Sequence, residues 1–179
     1  GRLFTGKRVC VLNAAGGNWA TETVVPASQV IPLSAQLTTA QAATFFVNPA
    51  TALLLTRYVL RLRPGDWLLQ TAAASCLGQM VIRLGQRFGF RTINVVRHDC
   101  HVDALRQLGG ERVVVFDPRR DAPDRLRALV TEASGGDEVR SAMDPVGGPT
   151  GNAVLSCLAN RSRFLAFGTL SEQPLSFSG

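Results

Sequence analysis

A chain of 179 residues that is 46% hydrophobic and 18% charged has apolar material for one large domain, or for one domain and part of another. Its 19 basic and 13 acidic residues leave a net charge of +6, but Lys7 is the only lysine and the arginines are scattered as singles and pairs, which argues against a nucleic-acid surface. No stretch approaches the roughly 18 uninterrupted apolar residues of a membrane span, because Pro64, Gly65 and Asp66 close the longest apolar neighbourhood.

Residues 1–33 carry short apolar runs at 9–12, 23–25 and 30–33, separated by Gly16-Gly17-Asn18 and Pro26, and these predict the end of a β-rich unit. Thr38-Thr39 ahead of Gln41 predicts a helix start. Asn48-Pro49 predicts a second one, with Asn48 as the cap and proline in the first helical position, for a helix running from Thr51 to about Leu60. From Pro64 onward, strand-like runs at 67–73, 92–97, 112–117, 139–144 and 163–168 alternate with segments of helical period. Leu77, Val81, Leu84 and Phe88 mark the first of these helices, Leu126, Leu129 and Val130 a later one, and Val154, Leu155 and Leu158 the last. Alternation of this kind predicts an α/β fold, a doubly wound parallel sheet covered on both faces.

In such a sheet a ligand lies beyond the carboxyl ends of the strands. The turn after the first strand reads Thr71-Ala72-Ala73-Ala74-Ser75-Cys76-Leu77-Gly78, small residues that let the backbone turn tightly and offer amide groups at a helix start to a pyrophosphate. Against G-x-G-x-x-G only Gly78 matches, so a plain strand-to-helix turn is an equal alternative. After the second strand come Arg97 and His98 rather than an acid, which suits the 2′-phosphate of NADP, while Asp99 behind them opposes it. Arg97 as a solvated surface residue is the competing reading.

Four cysteines, Cys10, Cys76, Cys100 and Cys157, lie far apart with no Cys-x-x-Cys pair, as free thiols in a reducing, cytoplasmic compartment would. His98, Cys100 and His101 lack a fourth partner at metal-ligand spacing, so no metal site is expected. Gly1 in place of methionine implies a processed chain or an excised piece, and no signal peptide pattern is present.

Several motifs in order carry a resemblance: Asn18-Trp19-Ala20, Ala42-Ala43-Thr44, Val47-Asn48-Pro49-Ala50-Thr51-Ala52, Pro64-Gly65-Asp66, the Ser75 to Gly78 turn, Thr92-Ile93-Asn94-Val95-Val96-Arg97, Leu108-Gly109-Gly110 and Val146-Gly147-Gly148. Over almost its whole length the chain resembles the medium-chain dehydrogenase/reductase superfamily. It is most similar to the zinc-independent branch that holds mitochondrial-type trans-2-enoyl-ACP/CoA reductases and quinone oxidoreductases.

The resemblance implies a Rossmann-type NAD(P)-binding domain over 64–179 without its last strand, connecting helices over 34–63, and a remnant of a GroES-like catalytic domain over 1–33. It implies NADPH as cofactor, with NADH possible, and an enoyl thioester or quinone as the small-molecule substrate. The alternatives are a carbonyl reductase and a non-catalytic dinucleotide-binding module. Asn48 would contact the cofactor, and Ala74, Ser75, Cys76 and Leu77 would line the pyrophosphate through main-chain amides. Arg97 and His98 would border the 2′-phosphate, Phe167, Gly168, Thr169 and Leu170 would flank the nicotinamide ribose, and Val146 and Gly147 would approach the cofactor.

Two positions depart from the enoyl reductase pattern: Asp99 stands where a second arginine is usual, and Cys76 where a glycine is. The family's proton-donating tyrosine would precede Gly1, so no catalytic residue is assigned, and Tyr58 does not match its place. The full-length protein would be a homodimer, with partners in neither nucleic acid nor membrane.

Overall fold

The structure, a computed structural model, describes residues 2–12, 16–17 and 19–176. Asn18, the first residue of one motif above, lies outside them. The chain divides into two compact units, Gly1–Val47 and Asn48–Gly179, a division that falls inside the stretch expected to hold connecting helices.

In the first unit, β1 (Val9–Val11) pairs antiparallel with β2 (Val30–Pro32), Cys10 opposite Ile31. The apolar run at 23–25, expected as a third strand-like segment, is not a strand, and Val24 in it is fully exposed. Among the described residues no strand pairs with this run, and β-branched residues alone do not make a strand. Helix α1 (Thr39–Ala43) starts as expected, with Thr38 as its cap: Gln41 N donates to Thr38 Oγ1 at 3.2 Å and Thr38 N to Gln41 Oε1 at 2.9 Å.

Helix α2 spans Val47–Leu53 and continues as a π-helical stretch, Leu54–Val59. This corrects two expectations. Asn48 is inside the helix rather than its cap, so Pro49 is not at the first helical position. The segment toward Leu60 is also wider than an α-helix: Leu60 N donates to Leu55 O at 2.9 Å, while Thr56 Oγ1 is turned onto Ala52 O at 2.7 Å. Tyr58 is exposed in this stretch.

The second unit contains β3 (Trp67–Gln70), α3 (Cys76–Phe88), β4 (Arg91–Val96), α4 (Val102–Gln107), β5 (Arg112–Val115), α5 (Pro123–Ser134), β6 (Ser141–Asp144), α6 (Gly148–Ser156) and β7 (Arg163–Ala166). The five strands are all parallel, in the order β5-β4-β3-β6-β7. The doubly wound sheet is therefore present; β3, β5 and β7 stop short of their apolar runs because the last residues belong to the turns, β4 is shifted one residue earlier, and β6 starts two residues into its run.

Alternation along the strands sorts side chains to two faces. Trp67, Leu69, Ile93, Val95, Val114 and Ala142 pack against Leu126 and Val130 of α5 and Ala153 and Val154 of α6. On the other face Leu68 and Met143 meet Val81 of α3 together with Ala52 and Leu60, while Val96 meets Ile82 and Leu105. Burying a side chain such as Leu69, which has no exposed surface, contributes roughly 1.5–3 kcal/mol. At the amino ends of the strands, Arg91 stacks over the Trp67 ring at 4.0 Å and pairs with Asp137 at 3.0 Å. Hydrogen bonds from Trp67 and then Arg91 hold the Asp137 carboxyl below its ordinary range.

Cys157, just after α6, is half-buried and its thiol donates to Ala153 O at 3.1 Å. Burial pushes this thiol up from 9.0 to about 11. The folded value exceeds the unfolded one, so the associated stability is complete below the unfolded value and is lost as pH rises through the folded one. We expect alkylation at about pH 8 to label exposed Cys76 and Cys100 first and Cys157 last. Mass spectrometry of a time course checks this order, and equal rates at Cys157 and Cys100 contradict it.

Candidate dinucleotide-binding site

The turn leaving β3 is built for close approach. Ser75 N donates to Ala72 O at 2.9 Å, and Ala72 takes φ of 48°, a left-handed conformation that costs a non-glycine residue about 1 kcal/mol or more. Ser75 caps α3 by accepting from Gly78 N at 3.1 Å. A Cβ at Gly78 would lie 2.5 Å from Ala73 O, so only glycine allows the helix to start this near the strand end. Cys76 and Leu77 supply first-turn amides that have no acceptor within the helix. Behind them, buried Gln70 donates to Gly78 O at 3.1 Å and to Asn94 Oδ1 at 2.7 Å, tying turn, β3 and β4 together.

Strand order reverses between β3 and β6, and a buried carboxylate sits at that junction. Asp144 has no exposed surface; it accepts from Thr71 Oγ1, from Val146 N at 3.0 Å and from Gly147 N at 2.8 Å. Gly147 is at φ 73°, which glycine adopts without strain. A Cβ on Gly151 would come within 2.7 Å of Asp144 Oδ2, so α6 leaves space for the carboxylate.

Around this junction lies a cavity of about 580 Å³ at the carboxyl ends of the strands. Thr71, Ala72, Ala74 and Ser75 form one wall, Val95, Val96, Arg97, His98 and His101 a second, and Phe116, Asp117, Pro118 and Arg119 a third. Val146, Pro149, Thr150, Leu170, Ser171 and Gln173 complete it. Arg97 Nε donates to His98 Nε2 at 3.2 Å, holding guanidinium and imidazole together on the rim. A second cavity of about 430 Å³, lined by Pro145, Phe167, Gly168, Thr169, Leu170 and Glu172, shares Leu170 with the first. Its floor follows from main-chain bonds that extend past β7: Phe167 N to Asp144 O at 3.1 Å and Leu170 N to Pro145 O at 3.0 Å.

Of the residues expected at a cofactor, Ala74, Ser75, Arg97, His98, Val146 and Leu170 line the larger cavity, and Phe167, Gly168, Thr169 and Leu170 the smaller. Asn48, Cys76, Leu77 and Gly147 line neither. Leu77 packs its side chain into the core, exposed Cys76 stays outside the wall, and the Gly147 amide is taken up by Asp144. The sequence reading missed Asp144 and Arg119. Asp144 could have been noticed as a charge closing a buried strand just before Pro145-Val146-Gly147; Arg119 carries no local signal beside Arg120. Among the described residues no three His, Cys, Asp or Glu side chains gather as a metal-holding group.

These residues fit a dinucleotide. First-turn amides and a glycine cradle suit a pyrophosphate, and a cavity of this volume with a cationic rim suits an adenosine end carrying phosphate. We expect Asp144→Asn to lower stability by about 1–3 kcal/mol, since an amide that accepts from Thr71 and Val146 points a donor at the Gly147 N–H. Denaturant unfolding measures it, and an unchanged midpoint would contradict the role given to the carboxylate.

Comparison with known proteins agrees with this geometry. Residues 76–179 match the family model described as zinc-binding dehydrogenase. The mitochondrial enoyl-[acyl-carrier-protein] reductase of Schizosaccharomyces pombe is 34% identical over 89% of the chain and 44% of its own length. The Escherichia coli quinone oxidoreductase solved with NADPH shares 26% identity with a TM-score of 0.73, over 86% of this chain and 45% of that one. A variant of Etr1p, solved with NADP and crotonyl-CoA, shares 28% identity with a TM-score of 0.68, over 84% of this chain and 46% of that one. The chain thus spans about half the length of the relatives it matches. Strand order, cleft position and these matches together show that the chain belongs to the zinc-binding dehydrogenase family of the medium-chain dehydrogenase/reductase superfamily.

Proposed function

We propose that the chain binds NADPH in the larger cavity and that the protein it represents is an NADPH-dependent reductase of 2-enoyl thioesters. The observation that carries the cofactor reading is Arg97 on the cavity rim directly after β4, where a residue discriminates between the two nicotinamide dinucleotides. When bound, NADPH supplies the hydride. The chain's own part is to hold it: Ala74 and Ser75 line the cavity where the turn meets the pyrophosphate, Cys76 and Leu77 outside the lining contribute only first-turn amides, Arg97 and His98 face the 2′-phosphate, and Phe167–Leu170 border the smaller cavity at the nicotinamide end. Asn48 remains a proposed cofactor contact through the position of its motif. The substrate class is supported by the naming of curated relatives as enoyl-[acyl-carrier-protein] reductases and by crotonyl-CoA in a structural neighbour.

A quinone reductase is the second reading, favoured by the likeness to the E. coli quinone oxidoreductase. We further propose residues 1–33 as part of a GroES-like catalytic domain, 34–63 as its connection and 64–179 as the nucleotide domain, in a homodimer of the full-length protein. The free thiols suit a reducing compartment, cytoplasmic or, like the named eukaryotic relatives, mitochondrial. Among the described residues no helix is long and apolar enough to cross a membrane.

Arg97→Ala should weaken NADPH about tenfold while changing NADH less than about twofold, read by nicotinamide fluorescence titration. An unchanged ratio of the two affinities removes Arg97 from the phosphate site. For the substrate, reduction of crotonyl thioester by the full-length protein supports the first reading, and turnover with quinone alone supports the second.

A further inference from the structure

Arg97 by itself is a poor holder for a dianion. A phosphate monoester carries about −1.5 to −2 charges near neutrality, and Asp117 lines the same cavity as Arg97. One guanidinium against one carboxylate leaves no net attraction. Asp99, next to His98, adds negative charge nearby although it does not line the cavity.

A second cation reaches the same cavity from the neighbouring strand. β4 and β5 run side by side with Val96 opposite Val115, and Phe116 N donates to Val96 O at 2.9 Å, so the chain leaves the sheet at Arg97 and at Asp117 in adjacent places. Two residues later Arg119 lines the cavity. Its backbone is fixed: Arg119 N donates to Asp117 Oδ1 at 3.1 Å, Arg120 N and Asp121 N each donate to Asp117 O at 2.9 Å, and Asp117 N donates to Asp121 Oδ2 at 2.9 Å. The Asp117 carboxylate is thus folded onto its own turn. Asp121 is also engaged with Arg125 at 2.5 Å. Among the described residues neither Arg97 nor Arg119 is in an ion pair, so neither guanidinium is committed to a carboxylate.

We infer that Arg97 and Arg119 form a two-armed clamp on the cofactor's 2′-phosphate, with Arg119 supplying the cation that makes the rim net positive. Resting on the cofactor reading above, the clamp adds the residue that decides between phosphorylated and unphosphorylated dinucleotide. Arg120, its immediate neighbour, does not line the cavity and serves as a control for the general field of the turn.

The test titrates the full chain with NADPH, NADH, and the fragments 2′,5′-ADP and 5′-AMP, which differ by the phosphate alone. Arg119→Gln should weaken NADPH and 2′,5′-ADP by about tenfold, leave NADH and 5′-AMP within about twofold, and be partly restored in Arg119→Lys. Arg120→Gln should leave all four within about twofold, and the Arg97→Gln/Arg119→Gln pair should lose less than the product of the single losses, since both act on one group. Circular dichroism and the retained NADH affinity report that the variants fold. If Arg119→Gln shifts NADPH and NADH equally, or neither, or if Arg120→Gln has the same selective effect, the clamp is overturned while Arg97 and the cofactor reading stand. Failure of the unsubstituted chain to bind either dinucleotide overturns the cofactor reading and the clamp with it.

Discussion

A carboxylate without access to solvent sits where the two halves of the sheet meet, and the geometry of the cleft follows from how it is satisfied. Burying a charge costs several kcal/mol unless it is paired or amply hydrogen-bonded. Asp144 finds a hydroxyl from the turn after β3 and two amides from the turn after β6. Past Gln70 and Met143, the last residues the two strands align, Thr71 N still donates to Met143 O at 3.2 Å, and the donors to Asp144 extend that link into both turns. The carboxylate therefore acts as a splice: it fixes the distance between the turn that starts α3 and the turn that starts α6. Gly151 and Gly147 follow as dependent choices, one to leave room for the oxygen and the other to allow the chain to bend around it.

From this splice the molecule divides its work between two ends. The carboxyl ends of the strands carry small residues, a strained Ala72, amides without helical acceptors, and Arg97 and Arg119, which among the described residues are in no ion pair. The amino ends carry the opposite: Arg91 stacks on Trp67 and pairs with Asp137, whose Oδ2 also accepts from Trp67 Nε1. Polar groups left open at one end and closed at the other are what a binding face and a supporting face look like in a parallel sheet.

Much of this was legible in the sequence because a strand buried on both faces announces itself as an apolar run. Residues such as Leu68-Leu69 and Val113-Val114-Val115 leave no ambiguity about placement. What stayed hidden depends on partners distant in the chain. The run at 23–25 has β-branched residues but pairs with no strand among the described residues, and Asn48 looks like a helix cap until the helix is seen to begin a residue earlier. The π-helical widening at Leu54–Val59 arises where Thr56 competes for a main-chain carbonyl, which residue preference does not signal. Within the site, the small-residue turn and Arg97 were readable because each sits beside the strand that positions it. Asp144 and Arg119 were not: the meaning of the first comes from Thr71, 73 residues away, and that of the second from β4 lying next to β5.

The separation between Thr71 and Asp144 also orders events in time. The three strands β3, β4 and β5 are consecutive in the chain and lie side by side in the sheet with β4 in the middle, so a chain emerging in sequence can pair them before Ser141 has been made. β6 then joins the far side of β3 rather than the edge presented by β5. Closing so long a segment carries the entropic cost of a non-local contact, which slows the step relative to helix formation within each half. A growing chain in that interval already owns Arg97, Arg119 and the amides of α3 on one side, but has no opposite wall. The crevice is thus absent from every intermediate that lacks β6, and arrival of that strand is the event that turns half a sheet into a binding site.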